Sequence, residues 1–421
     1  MGGTAFAQHK PPILTPRLPV LVYQSRLKET KALLSQFYHH VLSPIEAPGK
    51  DTYGDLDILL FKPLTDSLDD TRWSREEIAE QLKKILSAKI YIVRKGDPVI
   101  SFAVPLSKIE NPLEENIEIE EIYMQVDIQI FSTYQDIQYC YFHESHGDLW
   151  TILNDIIKTH GLRVNNRGLH ICIASIEVIN TKKSRVFLTS DPDEILEFIG
   201  LDSKKWWKKF NSMDEMFHYA ASCRMFNPHQ FQDKIVNPSN PEDPISPNTV
   251  KKPWSRKDRV RLIKRPIFSA WFNDFIPRCL SENLYEKPDS FLTREQVKHE
   301  VFSRFNVEKE YEETEMKWAL AKNEELVLKE GVKESIPTEG IDPAFRAAGI
   351  RVLKDMILDG NPWKDNSIPC EVQKDKCGFY DVEKVKKWVS ENWHIAGQIG
   401  LSRQLEKSIA NNKKNLAKIS I

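Results

Sequence analysis

The chain has 421 residues, a formal net charge of −2, 41% hydrophobic residues and 29% charged residues. That composition describes an ordinary globular protein with room for two or three domains, and it leaves any nucleic-acid or membrane partner to a local patch rather than to the overall charge. No apolar run approaches the roughly 20 residues of a membrane span, and six cysteines scattered without a Cys-x-x-Cys pair argue against a zinc ribbon or a disulfide scaffold.

The opening "MGGTAFAQHKPP" has no apolar stretch for secretion, and Phe6 stands where a myristoylation signal needs Ser or Thr. An intracellular protein, cytoplasmic or nuclear, is expected. Residues 1–20 read as a flexible arm. Residues 23–42 carry Leu27, Leu33, Leu34, Phe37 and Val41 at near-helical spacing. "GDLDILLF" reads as a strand. Ser74 and Glu77 form a capping box for a helix beginning at 74. Residues 89–106 predict a hairpin around Gly96-Asp97, and "YMQVDIQIF" predicts another strand. A helix is expected over 145–161, with Ser145 as cap, Asp148 completing the box and Gly161 as stop. Short strands are expected at 169–178 and 184–190. After Asp191 the pattern is helical, interrupted by a segment rich in Pro, Asn and Ser at 227–250.

The expected organisation is therefore an arm (1–20), an α+β domain (21–190), a helical extension (191–226), a linker or long loop (227–250) and a helical domain (251–421). Strands followed by helices in this order give an α+β fold: a mixed sheet with flanking helices, then a mainly helical second half.

Asp55 and Asp57 lie two apart on the first of these strands, so both point to one face. Asp127 sits on a later strand of the same form, with Gln125 and Gln129 on its own face and Val126, Ile128 and Ile130 on the other. Three neighbouring carboxylates repel one another unless a cation lies between them. Hard oxygen donors of this kind suit Mg²⁺ or Mn²⁺. A pair of such ions, about 4 Å apart, activates an attacking hydroxyl and neutralises a leaving group.

The order helix, Gly-containing loop, "GDLDILL", helix, "VDIQI" resembles the nucleotidyltransferase superfamily of the DNA polymerase beta type. In texture, including "FHESHGDLWTIL", "GLRVNNRGLHI" and "LTSDPDEILEFIGL", it is similar to predicted nucleotidyltransferases of large phages and scattered eukaryotes. The resemblance covers roughly residues 23–225. It implies transfer of a nucleoside monophosphate from an NTP such as ATP to a hydroxyl, with release of pyrophosphate. It makes Asp55, Asp57 and Asp127 the metal-binding and catalytic residues. Gly49-Lys50 stands where the family has Gly-Ser, so Lys50 is expected to contact phosphate as a point charge. Gly49, Lys50, Gly54, Ser145 and His146 form the expected nucleotide site.

The segment 251–265 holds eight Lys or Arg against one Asp. Lys251, Lys252, Trp254, Arg256, Lys257, Arg259 and Arg261 are the expected nucleic-acid contacts, with RNA as the expected acceptor. The same segment also reads as a nuclear-localisation signal or as a solvated helix start. The rival expectation is a catalytically inactive module of the same shape that binds nucleic acid or protein, for which the missing Gly-Ser is the reason.

Overall fold

The computed structural model describes residues 3–106, 122–234, 254–285, 292–360 and 370–419, with side chains described as far as residue 412. The chain divides into two compact units, Met1–Val307 and Glu308–Ile421. The fold is α+β: a mixed sheet flanked by helices, followed by a helical second unit. Among the described residues, no helix is long and apolar enough to cross a membrane.

The first unit is built on a five-stranded sheet. Its strands are β2 (Tyr38–Leu42), β4 (Asp55–Pro63), β5 (Ile90–Val93), β6 (Ile100–Leu106) and β7 (Ile122–Phe131), in the order β2-β4-β7-β6-β5. β4 and β7 run parallel in the middle, and the other pairs are antiparallel. Alternation divides the sheet's faces. Leu56, Ile58 and Leu60 of β4, Val126 and Ile128 of β7 and Phe102 of β6 turn to one side. There they bury against Tyr23 and Leu34 of α1 (Val20–Leu34) and Ile78 and Leu82 of α2 (Arg75–Ile85). Each such side chain contributes about 1.5–3 kcal/mol of transfer free energy. The opposite face carries Asp55, Asp57, Ser101, Gln125 and Asp127.

Two local expectations change. The helix expected over 23–42 stops at Leu34, and Tyr38–Leu42 becomes the edge strand β2, paired antiparallel with β4. "YHHVL" buries Tyr38 and Val41 and fits a pleated edge better than a helix. The arm is not loose either. Phe6 is fully buried against Ala103 and Tyr123, the Ala5 amide donates to Gln125 Oε1 at 3.0 Å, and β1 (Leu18–Pro19) pairs with β3 (Thr52–Tyr53). The first residues form a strap across the carboxylate-bearing face.

Beyond the sheet come α3 (Tyr134–Glu144) and α4 (Leu149–Ile157). A three-stranded antiparallel sheet follows: β8 (Leu162–Asn165), β9 (Gly168–Cys172) and β10 (Arg185–Thr189), in the order β10-β9-β8. Residues 173–178, expected as strand, turn into a short helix at Ala174–Glu177. Of the expected linker, Pro228–Lys234 forms a 3₁₀ turn, and 235–250 lies outside the described residues. The helix Arg256–Lys264 packs within the first unit: Arg265, at its end, pairs with Asp148, and Trp254 Nε1 donates to the Lys234 carbonyl at 3.1 Å.

The second unit has its own core, including Val327, Val352, Leu353, Trp388 and Val389. Its helices Pro343–Ile357 and Val382–Ile419 approach closely because glycine lines the contact. A Cβ added at Gly400 would lie 2.6 Å from the Ala348 carbonyl oxygen.

Candidate active site

Parallel pairing sets Asp57 directly beside Asp127, and Asp55 beside Gln125. One ligand oxygen from each of Asp55, Asp57 and Asp127 lies within 4.8 Å of the others. Gln125 Nε2 donates to both carboxylate oxygens of Asp127, at 3.0 and 2.9 Å, while its own carbonyl holds the strap through the Ala5 amide. Ser101, opposite Asp127 on β6, also donates to Asp127. The Gly3 amide donates to Asp55. A Cβ at Gly3 would lie 2.5 Å from the Gly54 carbonyl oxygen, and φ there is +82°, so only glycine lets the strap come this close.

The electrostatics are those of three crowded carboxylates that could hold a cation. Burial pushes Asp55 above the ordinary carboxylate range. Asp127 is pushed up to about 6, also chiefly by burial, with its Ser101 and Gln125 hydrogen bonds opposing the rise. Asp57 is pushed furthest, by burial and then by Asp55, Asp127, Glu144 and Glu46. Although protein surrounds Asp57, its carboxylate reaches solvent, because it sits where two clefts meet. An ion placed among these oxygens would lower all three pKa values. The donor set, all carboxylate, fits Mg²⁺ or Mn²⁺.

The first cleft, about 590 Å³, is lined by Arg17, Lys50, Tyr53, Gly54, Lys264 and Arg265 beside Asp55 and Asp57. The expected residues Gly49 and Gly54 are therefore cleft walls. Lys50 lies at the cleft but is paired with Glu46 at 2.5 Å, and Glu46 also accepts from Tyr23 Oη at 2.7 Å. The second cleft, about 660 Å³, is lined by Glu144, Trp150, Arg163, Asn166, Arg185 and Arg261. Gly147 lies between the clefts and borders both.

Ser145 and His146 depart from expectation. The helix starts at Leu149, after Asp148, and Ser145 instead ends α3, accepting from the Ile45 amide at 3.0 Å and donating to the Tyr141 carbonyl at 2.7 Å. His146 Nε2 contacts the Trp206 carbonyl at 2.7 Å, and the ring packs on Trp206 and Phe210. Both side chains are fully buried, so neither presents a surface to a nucleotide. They anchor the turn that puts Gly147 between the clefts.

The residues of the basic segment take different places. Lys251 and Lys252 lie outside the described residues. Arg256, Lys257 and Arg259 are exposed on the helix surface. Trp254 is buried on Phe268 and Phe272, with the Lys234 ammonium over its ring at 4.8 Å, so its ring faces are taken by protein. Arg261 lines the second cleft, while Lys264 and Arg265 line the first. Glu46, Glu144, Arg185, Lys264 and Arg265 were not expected at the site. Glu46, Glu144 and Arg185 arrive from separate elements with nothing in their local sequence to mark them, whereas Lys264 and Arg265 close the basic run at 251–265 and were visible there only as charge.

No family model matches the chain, and no curated protein matches it. Among solved structures, the chain is similar to polymerase beta of Leishmania infantum in a ternary P/T complex. The identity is 13% and the TM-score 0.32, over 47% of this chain and 78% of that one.

Proposed function

We propose that the protein is a metal-dependent nucleotidyltransferase that moves an NMP from an NTP to a hydroxyl of an RNA acceptor. The observation that carries this reading is the carboxylate triad, held in register by two parallel strands at the junction of two clefts. Divalent ions bound there would supply charge neutralisation at the transferring phosphoryl group. In the reaction, the acceptor oxygen forms a bond to the α-phosphorus while the bond from that phosphorus to the bridging oxygen breaks. Pyrophosphate leaves with the bond's electron pair, and the hydroxyl proton passes to a carboxylate of the site. Asp55 and Asp57 hold the charge that makes the site, and Asp127, fixed by Gln125 and Ser101, completes it. Lys264 and Arg265 offer cations to the triphosphate in the first cleft.

Purified protein incubated with each labelled NTP, Mg²⁺ or Mn²⁺ and total RNA is expected to label RNA, and the Asp55→Ala/Asp57→Ala protein is expected to lose the activity by at least a hundredfold. Equal labelling by both proteins would overturn the reading. One observation favours the inactive-module alternative: Lys50, standing where the family has serine, is engaged with Glu46. On that alternative, NTP and Mg²⁺ together leave the melting temperature unmoved. On the enzyme reading they raise it, and Asp55→Asn removes the rise.

A further inference from the structure

Gln125 is a buried carboxamide with a carboxylate at one end and backbone at the other. It stands on the carboxylate-bearing face of β7, next to Asp55 of β4 and Ala103 of β6, and is only 4% exposed. Nε2 donates to both oxygens of Asp127, at 3.0 and 2.9 Å, and Oε1 accepts from the Ala5 amide at 3.0 Å. A carboxamide has one donor end and one acceptor end. The Ala5 N–H decides which end goes where: with the carbonyl on the strap, the NH₂ faces Asp127. Turned over, the side chain would set its carbonyl against a carboxylate and its NH₂ against an N–H, two unfavourable contacts in a buried place. The strap and Asp127 therefore select the same orientation of Gln125.

Several anchors seat the strap at this contact. Phe6, fully buried against Ala103 and Tyr123, follows Ala5 directly, and the Arg94 guanidinium donates to the Ala5 carbonyl at 3.4 Å. Thr15 Oγ1 donates to the Gly3 carbonyl at 2.7 Å, while the Gly3 amide donates to Asp55. Further along, the Tyr123 amide donates to the Leu14 carbonyl at 3.1 Å, and Arg17 Nε donates to Thr52 Oγ1 at 2.9 Å. Two of the three carboxylates thus depend on residues 3–6, Asp55 directly and Asp127 through Gln125.

We infer that Gln125 is a positioning residue whose orientation the strap sets, so that seating of residues 3–6 and binding of a cation by the triad are coupled. The inference rests on the transfer reading for the cation alone. A bound cation keeps Asp127 ionised and therefore acceptor-only, which holds the Gln125 NH₂ toward it and the carbonyl toward Ala5. A seated strap in turn fixes both Asp127 oxygens before an ion arrives. Such coupling is reciprocal: whatever the strap adds to ion affinity, the ion adds to strap seating.

The test is Mn²⁺ binding to the full-length protein, read by electron paramagnetic resonance of the free ion, together with hydrogen exchange of peptides containing Ala5 with and without Mn²⁺. Gln125→Met keeps the side chain's length and removes both hydrogen-bonding ends. It is expected to weaken Mn²⁺ binding about tenfold, the lower end of what partners that orient metal ligands contribute. Phe6→Ala removes the anchor and leaves the triad in place; it is expected to weaken Mn²⁺ binding in the same direction, with Phe6→Leu restoring most of the affinity. Mn²⁺ is expected to slow exchange at Ala5 in the unsubstituted protein and to leave it unchanged in Gln125→Met at saturating Mn²⁺. A residue that only fills space would lower the melting temperature without linking the ion to the Ala5 amide. If Phe6→Ala does not fold, exchange in the unsubstituted protein decides alone. Unchanged Mn²⁺ affinity in Gln125→Met overturns the inference. So does exchange at Ala5 that Mn²⁺ leaves alone or speeds, and speeding would make the strap a competitor of the ion. The two readings fail separately. Coupled Mn²⁺ binding and strap seating without nucleotide transfer sinks the transfer reading alone, transfer without coupling sinks this inference alone, and a protein that takes up no Mn²⁺ sinks both.

Discussion

Asp127 holds a charge where the protein by itself does not favour one. Its pKa stands at about 6, against 3.8 in the unfolded chain, so the folded state binds the proton more tightly. Below the unfolded value both states are protonated and the group contributes nothing. As pH rises from about 4 through 6, the unfolded chain ionises first and the folded state loses relative stability. At pH 7.5 the gap of about two units amounts to roughly 3 kcal/mol. Asp127→Asn, in the absence of metal, should therefore melt higher than the unsubstituted protein at pH 7.5, with the advantage fading toward pH 4. Adding NTP and Mg²⁺ should reverse the order. A metal-free Asp127→Asn protein that melts no higher at pH 7.5 would contradict the burial described for this carboxylate. The three aspartates were legible in the sequence because a strand's period of two leaves a visible polar face on an apolar run. Ser145 and His146 misled for a related reason: a polar pair before an apolar helix looks like a cap, and only tertiary packing shows Ser145 and His146 buried beneath the turn.

At the scale of elements, the strands, the hairpin at Gly96 and the box at Ser74 and Glu77 follow directly from pattern and capping. The strap and β2 do not. The strap has no periodicity, since it is positioned by single anchors such as Phe6 and Ala5, and β2 continues a helical spacing until pairing with β4 overrides it. In the second unit, the close approach of Pro343–Ile357 and Val382–Ile419 depends on glycine as well as on the apolar core the two helices share. Gly400→Ala puts a Cβ within 2.7 Å of Ala348 backbone and side-chain atoms. It should destabilise this unit by about 1–3 kcal/mol, as overpacking does, read as a lowered urea midpoint with an unchanged slope. A midpoint equal to that of the unsubstituted protein would show that the helices separate freely.

Across the whole molecule, a net charge of −2 hides a concentration of positive charge at one place. The basic run at 251–265 was visible as composition, but its convergence with Arg163 and Arg185 on Asp57 was not, because residues about a hundred positions apart share no local signal. If the proposed RNA acceptor is held by its phosphates at about three basic side chains of the first unit, the logarithm of its binding constant should fall against the logarithm of salt concentration with a slope of roughly −2, as expected for about three phosphate contacts on a single strand. Titration from low to moderate salt measures it. A slope near zero would remove phosphate contact from the account, and one far steeper would bring in Arg256, Lys257 and Arg259 on the exposed helix surface.

The parallel pairing of β4 with β7 also bears on how the protein is made. Asp57 and Asp127 become neighbours only through a contact between strands seventy residues apart, with α2, β5 and β6 in between. A slip of one residue in that pairing would turn one carboxylate away from the other. Such long-range pairings form late, after the entropy of closing the intervening chain has been overcome. The carboxylate cluster therefore does not exist on a nascent chain that has not yet supplied β7. If the cluster takes the proposed metal, its uptake by a folding chain would serve as a clock for completion of the central sheet rather than as a seed for it.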